Sequence, residues 1–313
     1  KLRETAGRLG FGILLAPGQR SVVDLLGRVA ASHTRADLDR AVADQPYDFS
    51  PPTDDRPYFF NLLRVTDLGG LLKEIPGGGV VTGNLRASKT LAALLGLVLV
   101  AVLFLILAPL VGSGLPAMGG RTFAASIGYF GLIGSGFMFV QIGLMQRFSV
   151  YLGHPTYAVA ITLFSMIAAT GVGSLLSERV PVERRPELVR SLSLGTSLVI
   201  AVATFALQPL IDGTIRSALP IRALLTVVLV VPVSVALGLF FPIGMRLVRR
   251  LGSNAEPWMW GVNGACGVLA SVVGVILSIG AGIRVTLLAG ALAYAALAIP
   301  SWLLGRASAK GVA

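Results

Sequence analysis

Residues 122–177 read TFAASIGYFGLIGSGFMFVQIGLMQRFSVYLGHPTYAVAITLFSMIAATGVGSLLS. This stretch holds two apolar runs, each about as long as the roughly 20 residues that a helix needs to cross a bilayer. Only a short polar joint, Gln146–Ser149 followed by Gly153–Thr156, lies between the two runs. The sequence therefore predicts two antiparallel helices that pack as a hairpin in a membrane. Small residues, which let membrane helices approach closely, crowd the first run: Gly128, Gly131, Gly134, Ser135 and Gly136.

The composition of the whole chain supports a membrane protein. Of its 313 residues 54% are hydrophobic and 13% are charged, and the mean hydropathy is +0.80, whereas soluble domains are about 25% charged. The net charge is +11, but the basic residues lie mostly in short loops beside apolar runs, where anionic lipid headgroups attract them. We therefore predict a lipid bilayer as the partner and no nucleic acid.

The same pattern of apolar runs recurs along the rest of the chain. It predicts a mainly α, polytopic membrane protein with about seven transmembrane helices, preceded by a small α/β remnant. The predicted spans contain no Asp or Glu, which argues against a proton-coupled pump because such pumps use intramembrane carboxylates. The predicted spans are 89–111, 122–145, 156–177, 192–210, 221–245, 258–280 and 285–304.

Polar residues within or beside these spans are the candidate functional positions of the membrane domain. We predict that Gln141 and Arg147 together tie the joint of the hairpin, with Arg147 donating to open carbonyls at the helix end. Asn263 is either a ligand contact or an interhelical hydrogen bond worth on the order of 0.6 kcal/mol, and we favour the second. His154 is either a proton relay or metal ligand, or an interfacial residue that fixes the joint, and the second interpretation is favoured.

Metal and disulfide chemistry have little support in the sequence. The chain has one cysteine, Cys266, interpreted as a small packing residue, and its two histidines, His33 and His154, are far apart. An internal disulfide needs two cysteines and a structural zinc site needs about four ligands. No metal site is predicted.

The amino-terminal region has a soluble character. Phe11–Pro17 is an apolar run before a glycine, which predicts a buried strand, and Ser21–Ser32 has apolar residues at helical spacing. Thr34 is the predicted N-cap of a helix over Arg35–Ala43, with Asp37 completing a capping box. This order of elements predicts the tail of an α/β domain. The predicted organisation is a domain tail over 1–60, a glycine-rich linker over 61–88 and a transmembrane domain over 89–305.

A proline-rich segment, residues 50–60, contains the paired carboxylates Asp54 and Asp55 next to Arg56. Paired carboxylates with a neighbouring arginine are compatible with acid–base chemistry. They are also typical of a rigid turn in which aspartates cap backbone amides and pair with the arginine, and we favour this second interpretation.

Three blocks resemble one family. Residues 137–179 (FMFVQIGLMQRFSVYLGHPTYAVAITLFSMIAATGVGSLLSER), PTDDRPYFFN at 52–61 and the run from Trp258 (WMWGVNGACGVLASVVGVILSIGAGIRVTLLAGALAYAALA) are similar to the carboxy-terminal membrane region of bacterial membrane-bound spermidine-synthase-like proteins. The resemblance covers about residues 45–305. It implies an integral protein of the bacterial inner membrane.

The resemblance also implies an upstream Rossmann-like transferase domain that binds S-adenosylmethionine or its decarboxylated form. The cofactor loop and catalytic aspartate of such polyamine aminopropyltransferases or methyltransferases have no counterpart here, so no catalytic residue is carried over. We expect the chain to be part of a longer protein, to bind no cofactor alone and to transfer no group alone. Asp54, Asp55 and Arg56 are assigned the rim of the upstream active site.

Two alternatives to this membrane module stay open. One is a transporter-like half related to the major facilitator superfamily, which would pair with a second membrane half. The other is a structural subunit of a larger membrane complex, without chemistry of its own. Two arguments disagree about the orientation in the membrane. Lys and Arg number ten on one set of predicted loops and eight on the other, and this count weakly favours an amino end outside the cell. A domain that uses S-adenosylmethionine should face the cytoplasm, and we predict a cytoplasmic amino end.

Overall fold

The computed structural model describes residues 1–16, 21, 23–44, 51–58, 80–182, 184–252 and 254–310. The chain divides into two compact units. One comprises residues 1–52 and 58–88, and the other, here called the membrane unit, comprises residues 53–57 and 89–313.

The described residues of the first unit form three short helices, α1 (Leu2–Arg8), α2 (Asp24–Ala30) and α3 (Arg35–Val42), and the first nine residues of a longer helix that begins at Val80. The predicted capping box of α3 is confirmed. The backbone N–H of Asp37 donates to the Thr34 hydroxyl at 3.2 Å, and the backbone N–H of Thr34 donates to the Asp37 carboxylate at 3.1 Å. The hydrogen bond from the Thr34 side chain is the main cause that lowers the pKa of Asp37, since it stabilises the charged form.

The strand predicted over Phe11–Pro17 is wrong in its described part. Residues 11–16 are irregular and Phe11 is 68% exposed. No strand lies among the residues that the structure describes, so this segment has no ladder partner for its backbone groups. Pro17 and residues 61–79 of the predicted linker lie outside the described residues, and the linker's last nine residues, from Val80, are helical.

The seven predicted transmembrane helices are confirmed: in the part of the chain that the structure describes, seven helices are long and apolar enough to cross a bilayer. The first span, Lys89–Gly112, begins within α4 (Val80–Ala101). It continues through a π-helical segment (Val102–Leu107) and ends with α5 (Ala108–Gly112). The next three are α6 (Gly120–Leu152), α7 (Pro155–Ser177) and α8 (Glu187–Thr214). The fifth combines α9 (Leu219–Gly238) and α10 (Phe240–Arg249). The sixth is α11 (Glu256–Ala281), and the seventh combines α12 (Ile283–Ala296) and α13 (Ala298–Lys310).

Proline explains where the broken spans break. Proline has no N–H, and its ring clashes with the carbonyl four residues earlier. The fifth span is interrupted at Leu239, three residues before Pro242, and the seventh is interrupted at Leu297, three residues before Pro300. Pro232 lies inside α9 without ending it.

The predicted hairpin of α6 and α7 forms the centre of the membrane unit. Gly153 ends α6 with φ of +74°, a left-handed conformation that glycine adopts at no steric cost. His154 then precedes Pro155, the first residue of α7. α6 also packs along α11 and α12, whereas α7 packs most extensively against α9.

Glycines on α6 and α7 allow these contacts. A Cβ on Gly134 would overlap the carbonyl of Asn263 in α11, and one on Gly136 would lie 2.9 Å from the ring of Tyr294 in α12. Between α7 and α9, a Cβ on Gly173 of α7 would overlap a backbone carbonyl of α9. Of the small residues predicted to bring membrane helices together, Gly131, Gly134 and Gly136 therefore lie at helix contacts, whereas Gly128 faces open space.

Candidate functional site

The proline-rich segment forms a tight turn within the membrane unit, here called the docking turn (residues 53–57). The backbone N–H of Arg56 donates to the Thr53 carbonyl at 2.8 Å, and that of Thr53 donates to the Arg56 carbonyl at 3.3 Å. The Thr53 hydroxyl also accepts from the Arg56 N–H at 3.2 Å. This geometry agrees with the rigid-turn interpretation, and it presents Asp54 and Asp55 at the tip.

Asp55 caps the seventh span. Its carbonyl accepts from the N–H of Ile283 at 2.9 Å, and its carboxylate accepts from the N–H of Arg284 at 2.9 Å. The first N–H groups of a helix have no partner within the helix, and a negative charge there is favourable. Gly282 has φ of +107°, and a Cβ on it would overlap the Asp55 carboxylate. Glycine is therefore required at this junction.

Arg147 of α6 binds the same turn from the other side. Its side chain is 2% exposed, and its Nη2 donates to Asp55 Oδ1 at 2.7 Å. Its Nη1 donates to the Asp54 carbonyl at 3.1 Å and to Gln208 Oε1 at 2.7 Å. A guanidinium matches several acceptors at once because its donors are fixed in a plane.

The prediction that Arg147 works with Gln141 at open carbonyls of its own helix end is wrong. Six residues on a helix turn through about 600°, which places the two side chains on different faces. Two other arginines do what was predicted for Arg147. Arg222 donates to the Tyr151 carbonyl at the end of α6 at 2.6 Å, and Arg246 donates to the Ser177 carbonyl at the end of α7 at 2.7 Å.

The polar contacts continue into α8. Gln208 donates from Nε2 to Asp212 Oδ1 at 2.8 Å, so Asp55, Arg147, Gln208 and Asp212 form one polar cluster. The observed spans are longer than the predicted ones and contain Glu187, Asp212 and Glu256 near their ends, so the expectation that no span contains a carboxylate is wrong there. Asp212 is exposed and lies within the last turn of α8, near the end of the span. Gln208 was not among the predicted polar positions, although it is a polar residue between apolar neighbours near the end of α8.

His154 and Asn263, the other predicted polar positions, lie apart from this cluster. His154 is exposed at the start of α7, and its ring centroid is 5.2 Å from that of Tyr157. No group of three His, Cys, Asp or Glu that could hold a metal ion occurs among the described residues. Asn263 lines a cavity in the membrane unit.

This cavity, here called the lateral cavity, has a volume of about 660 Å³ and is lined by residues of α6, α7, α9, α10, α11 and α12. Its lining is uncharged and mainly apolar, with Phe137, Phe241 and Trp260 as large members. The rings of Phe241 and Trp260 pack edge to face with centroids 4.4 Å apart. It is a concave site of the type that holds small molecules.

The comparisons add no relative: no family model, no curated protein and no solved structure matches this chain. The fold itself defines an integral, polytopic helical membrane protein, whose described residues form seven spans and a docking turn held by buried polar contacts.

Proposed function

We propose that this chain is the membrane module of a spermidine-synthase-like protein of the bacterial inner membrane. In this proposal it anchors an amino-terminal transferase domain that uses S-adenosylmethionine or its decarboxylated form. The resemblance of three sequence blocks supports the family. The anchoring role is supported by the docking turn, which directly follows residues 1–52 in the chain.

The docking turn is suited to anchoring because it binds α6 and α12 through Asp55 and α11 through Arg56, which donates to the Ile279 carbonyl at 3.5 Å. Asp55 caps α12 and pairs with Arg147 of α6, and Arg147 in turn binds Gln208 of α8. Removing one partner of a buried ion pair costs about 3–5 kcal/mol, because the other charge remains buried. Any domain amino-terminal to residue 53 is thereby tethered to the membrane unit within a few residues.

The contacts of the two aspartates assign them different roles in this proposal. The Asp55 carboxylate is engaged by Arg147 and by the N-terminus of α12. Asp54 contributes its backbone carbonyl, and the residue is exposed. Asp54 is therefore the better candidate for the rim of an upstream active site, whereas Asp55 serves anchoring.

The transferase part is tested by calorimetry with S-adenosylmethionine and its decarboxylated form, on the full-length protein and on the 313-residue chain, both in nanodiscs. Saturable binding is expected for the full-length protein and none for the 313-residue chain. Binding to the shorter chain would contradict the location of the cofactor site. Lack of binding of either cofactor by the full-length protein would overturn the transferase assignment.

The anchoring part is tested separately in the full-length protein by limited proteolysis at the docking turn. Asp55→Ala is expected to speed cleavage at residues 51–58 several-fold, and Asp54→Ala serves as the matched control. Equal cleavage rates of these two variants would overturn the anchoring role of Asp55.

A further inference from the structure

The lateral cavity opens towards the hydrocarbon of the bilayer. Its rim includes Ile167 (61% exposed) near the middle of α7 and Val268 (48% exposed) near the middle of α11. Gly171 and Gly264 on the same rim are also exposed. Ile167 and Gly171 share one face of α7 with Phe164 and Leu175, which are 75% and 71% exposed and lie outside the cavity. A face with such large exposed apolar side chains along a membrane-spanning helix is turned towards the lipid tails. A molecule dissolved in the bilayer can therefore enter the cavity from the side, between α7 and α11.

The size and chemistry of the cavity select the class of ligand. Its volume of about 660 Å³ falls in the range of about 300–1,000 Å³ that is usual for small-molecule sites. No lining residue is charged. A polyamine carries several positive charges and needs carboxylates to replace its lost hydration. The lining instead suits an apolar chain.

Three polar side chains in the lining make no hydrogen bond among the described residues. They are the hydroxyl of Ser174, the amide of Asn263 and the hydroxyl of Tyr294, a residue that is 1% exposed. The nearby hydroxyls of Thr170 and Ser271 are already bonded to carbonyls of their own helices, at 2.8 and 2.7 Å. Buried polar groups in proteins are normally hydrogen-bonded. The Asn263 amide and the Tyr294 hydroxyl, on the neighbouring helices α11 and α12, therefore offer unbonded donors and acceptors to a ligand's polar head.

From these observations we propose that the lateral cavity binds a single-chain neutral lipid that enters from the bilayer. Its acyl chain lies along the apolar lining, and its uncharged head, a hydroxyl or ester, bonds to Asn263 and Tyr294. This binding function goes beyond anchoring and requires neither a cofactor nor an upstream domain.

The test uses the 313-residue chain in phosphatidylcholine nanodiscs with a diazirine-labelled monoacylglycerol. After illumination, mass spectrometry locates the cross-links. We expect them to concentrate on residues of the cavity lining, such as Phe137 and Val268. Unlabelled monoolein should compete for this labelling, and spermidine should not. Labelling spread evenly over the bilayer-facing surface, including Phe104 and Leu105 of the first span, would overturn the proposal. Competition by spermidine would overturn the neutral-lipid assignment.

A glycine variant supplies the matched control. A Cβ on Gly264 meets no atom within 4 Å, so Gly264→Leu should fill the mouth of the cavity without disturbing the fold. It is expected to reduce the labelling of the lining at least fivefold. Gly195 of α8 is also exposed and open at its Cβ position but lies outside the cavity, and Gly195→Leu should leave the labelling unchanged. Equal labelling of the two variants would contradict the proposed site.

The polar part of the proposal is tested with the double variant Asn263→Leu/Tyr294→Phe. It removes both hydrogen-bonding groups and keeps the apolar lining. Labelling by the monoacylglycerol is expected to fall several-fold, whereas labelling by a diazirine-bearing alkane of the same length should persist. An unchanged ratio between the two probes would overturn the role given to Asn263 and Tyr294.

Discussion

Asp55 meets two electrostatic needs of the membrane unit with one carboxylate. It neutralises Arg147, whose side chain is almost fully buried, and it completes the N-terminus of α12. A buried guanidinium without a partner would be costly, because the surroundings cannot replace its hydration. The docking turn therefore contributes to the stability of the membrane unit and also connects this unit to the preceding chain.

We predict that Asp55→Ala destabilises the membrane unit by about 3–5 kcal/mol, because it leaves Arg147 buried and unpaired. Thermal unfolding in detergent, followed by fluorescence or circular dichroism, measures the effect. The matched variant Asp54→Ala should change the midpoint little, because Asp54 binds Arg147 through its backbone carbonyl. Arg147→Leu should also lower the stability, and the double variant Asp55→Ala/Arg147→Leu should lose less than the sum of the single losses. Additive losses would contradict the ion pair.

Close contact between α7 and α9 depends on two glycines that face each other's helix backbone. A Cβ on Gly173 would overlap the Val235 carbonyl, and a Cβ on Gly238 would overlap the Thr170 carbonyl. In a membrane, helix association rests on such packing rather than on the hydrophobic effect. Because the neighbouring atoms are backbone, a side-chain rotation cannot relieve an added methyl group.

We predict that Gly173→Ala separates α7 from α9 and costs about 1–3 kcal/mol through overpacking. Gly171, two residues earlier on the same helix, faces open space, so Gly171→Ala is the control. The thermal midpoint of Gly173→Ala should fall clearly below that of Gly171→Ala. Identical midpoints would show that the close approach contributes nothing to stability.

The orientation of the whole bundle follows from where the docking turn binds. Because Asp55 caps α12, residues 53–57 lie at the same end of the membrane unit as Gly282, and the α7–α8 connection lies at the other end. The count of ten against eight basic residues separates the two ends weakly. Under the proposed function, a domain that uses S-adenosylmethionine faces the cytoplasm, and we therefore predict that the docking turn faces it too.

We predict that Thr53→Cys is shielded from an impermeant thiol reagent in intact cells, whereas Glu178→Cys is labelled. Both variants are made in a Cys266→Ala background. Thr53 and Glu178 are exposed; Ser177, beside Glu178, is only 1% exposed and unsuited to labelling. Labelling of Thr53→Cys from outside the cells would reverse the orientation. Permeabilised cells, in which both sites should react, provide the control.

The sequence by itself determined the number of spans, their approximate positions, the hairpin at Gly153 and the capping box at Thr34. These features depend on apolar length and on local backbone chemistry, which a continuous stretch of sequence contains. It also marked Arg147 and Asn263 as exceptional, because polar side chains are costly within apolar spans.

Only the tertiary structure decided what these residues contact. Arg147 pairs with Asp55, 92 positions away, and Asp55 caps a helix that begins 228 positions later. The strand predicted at Phe11 failed, since a strand requires a partner that local sequence does not specify. Likewise, Asn263 and Tyr294 line one cavity because α11 and α12 both pack along α6. Contacts between side chains that are far apart in the sequence depend on the rotation and register of packed helices, which composition and periodicity leave undetermined.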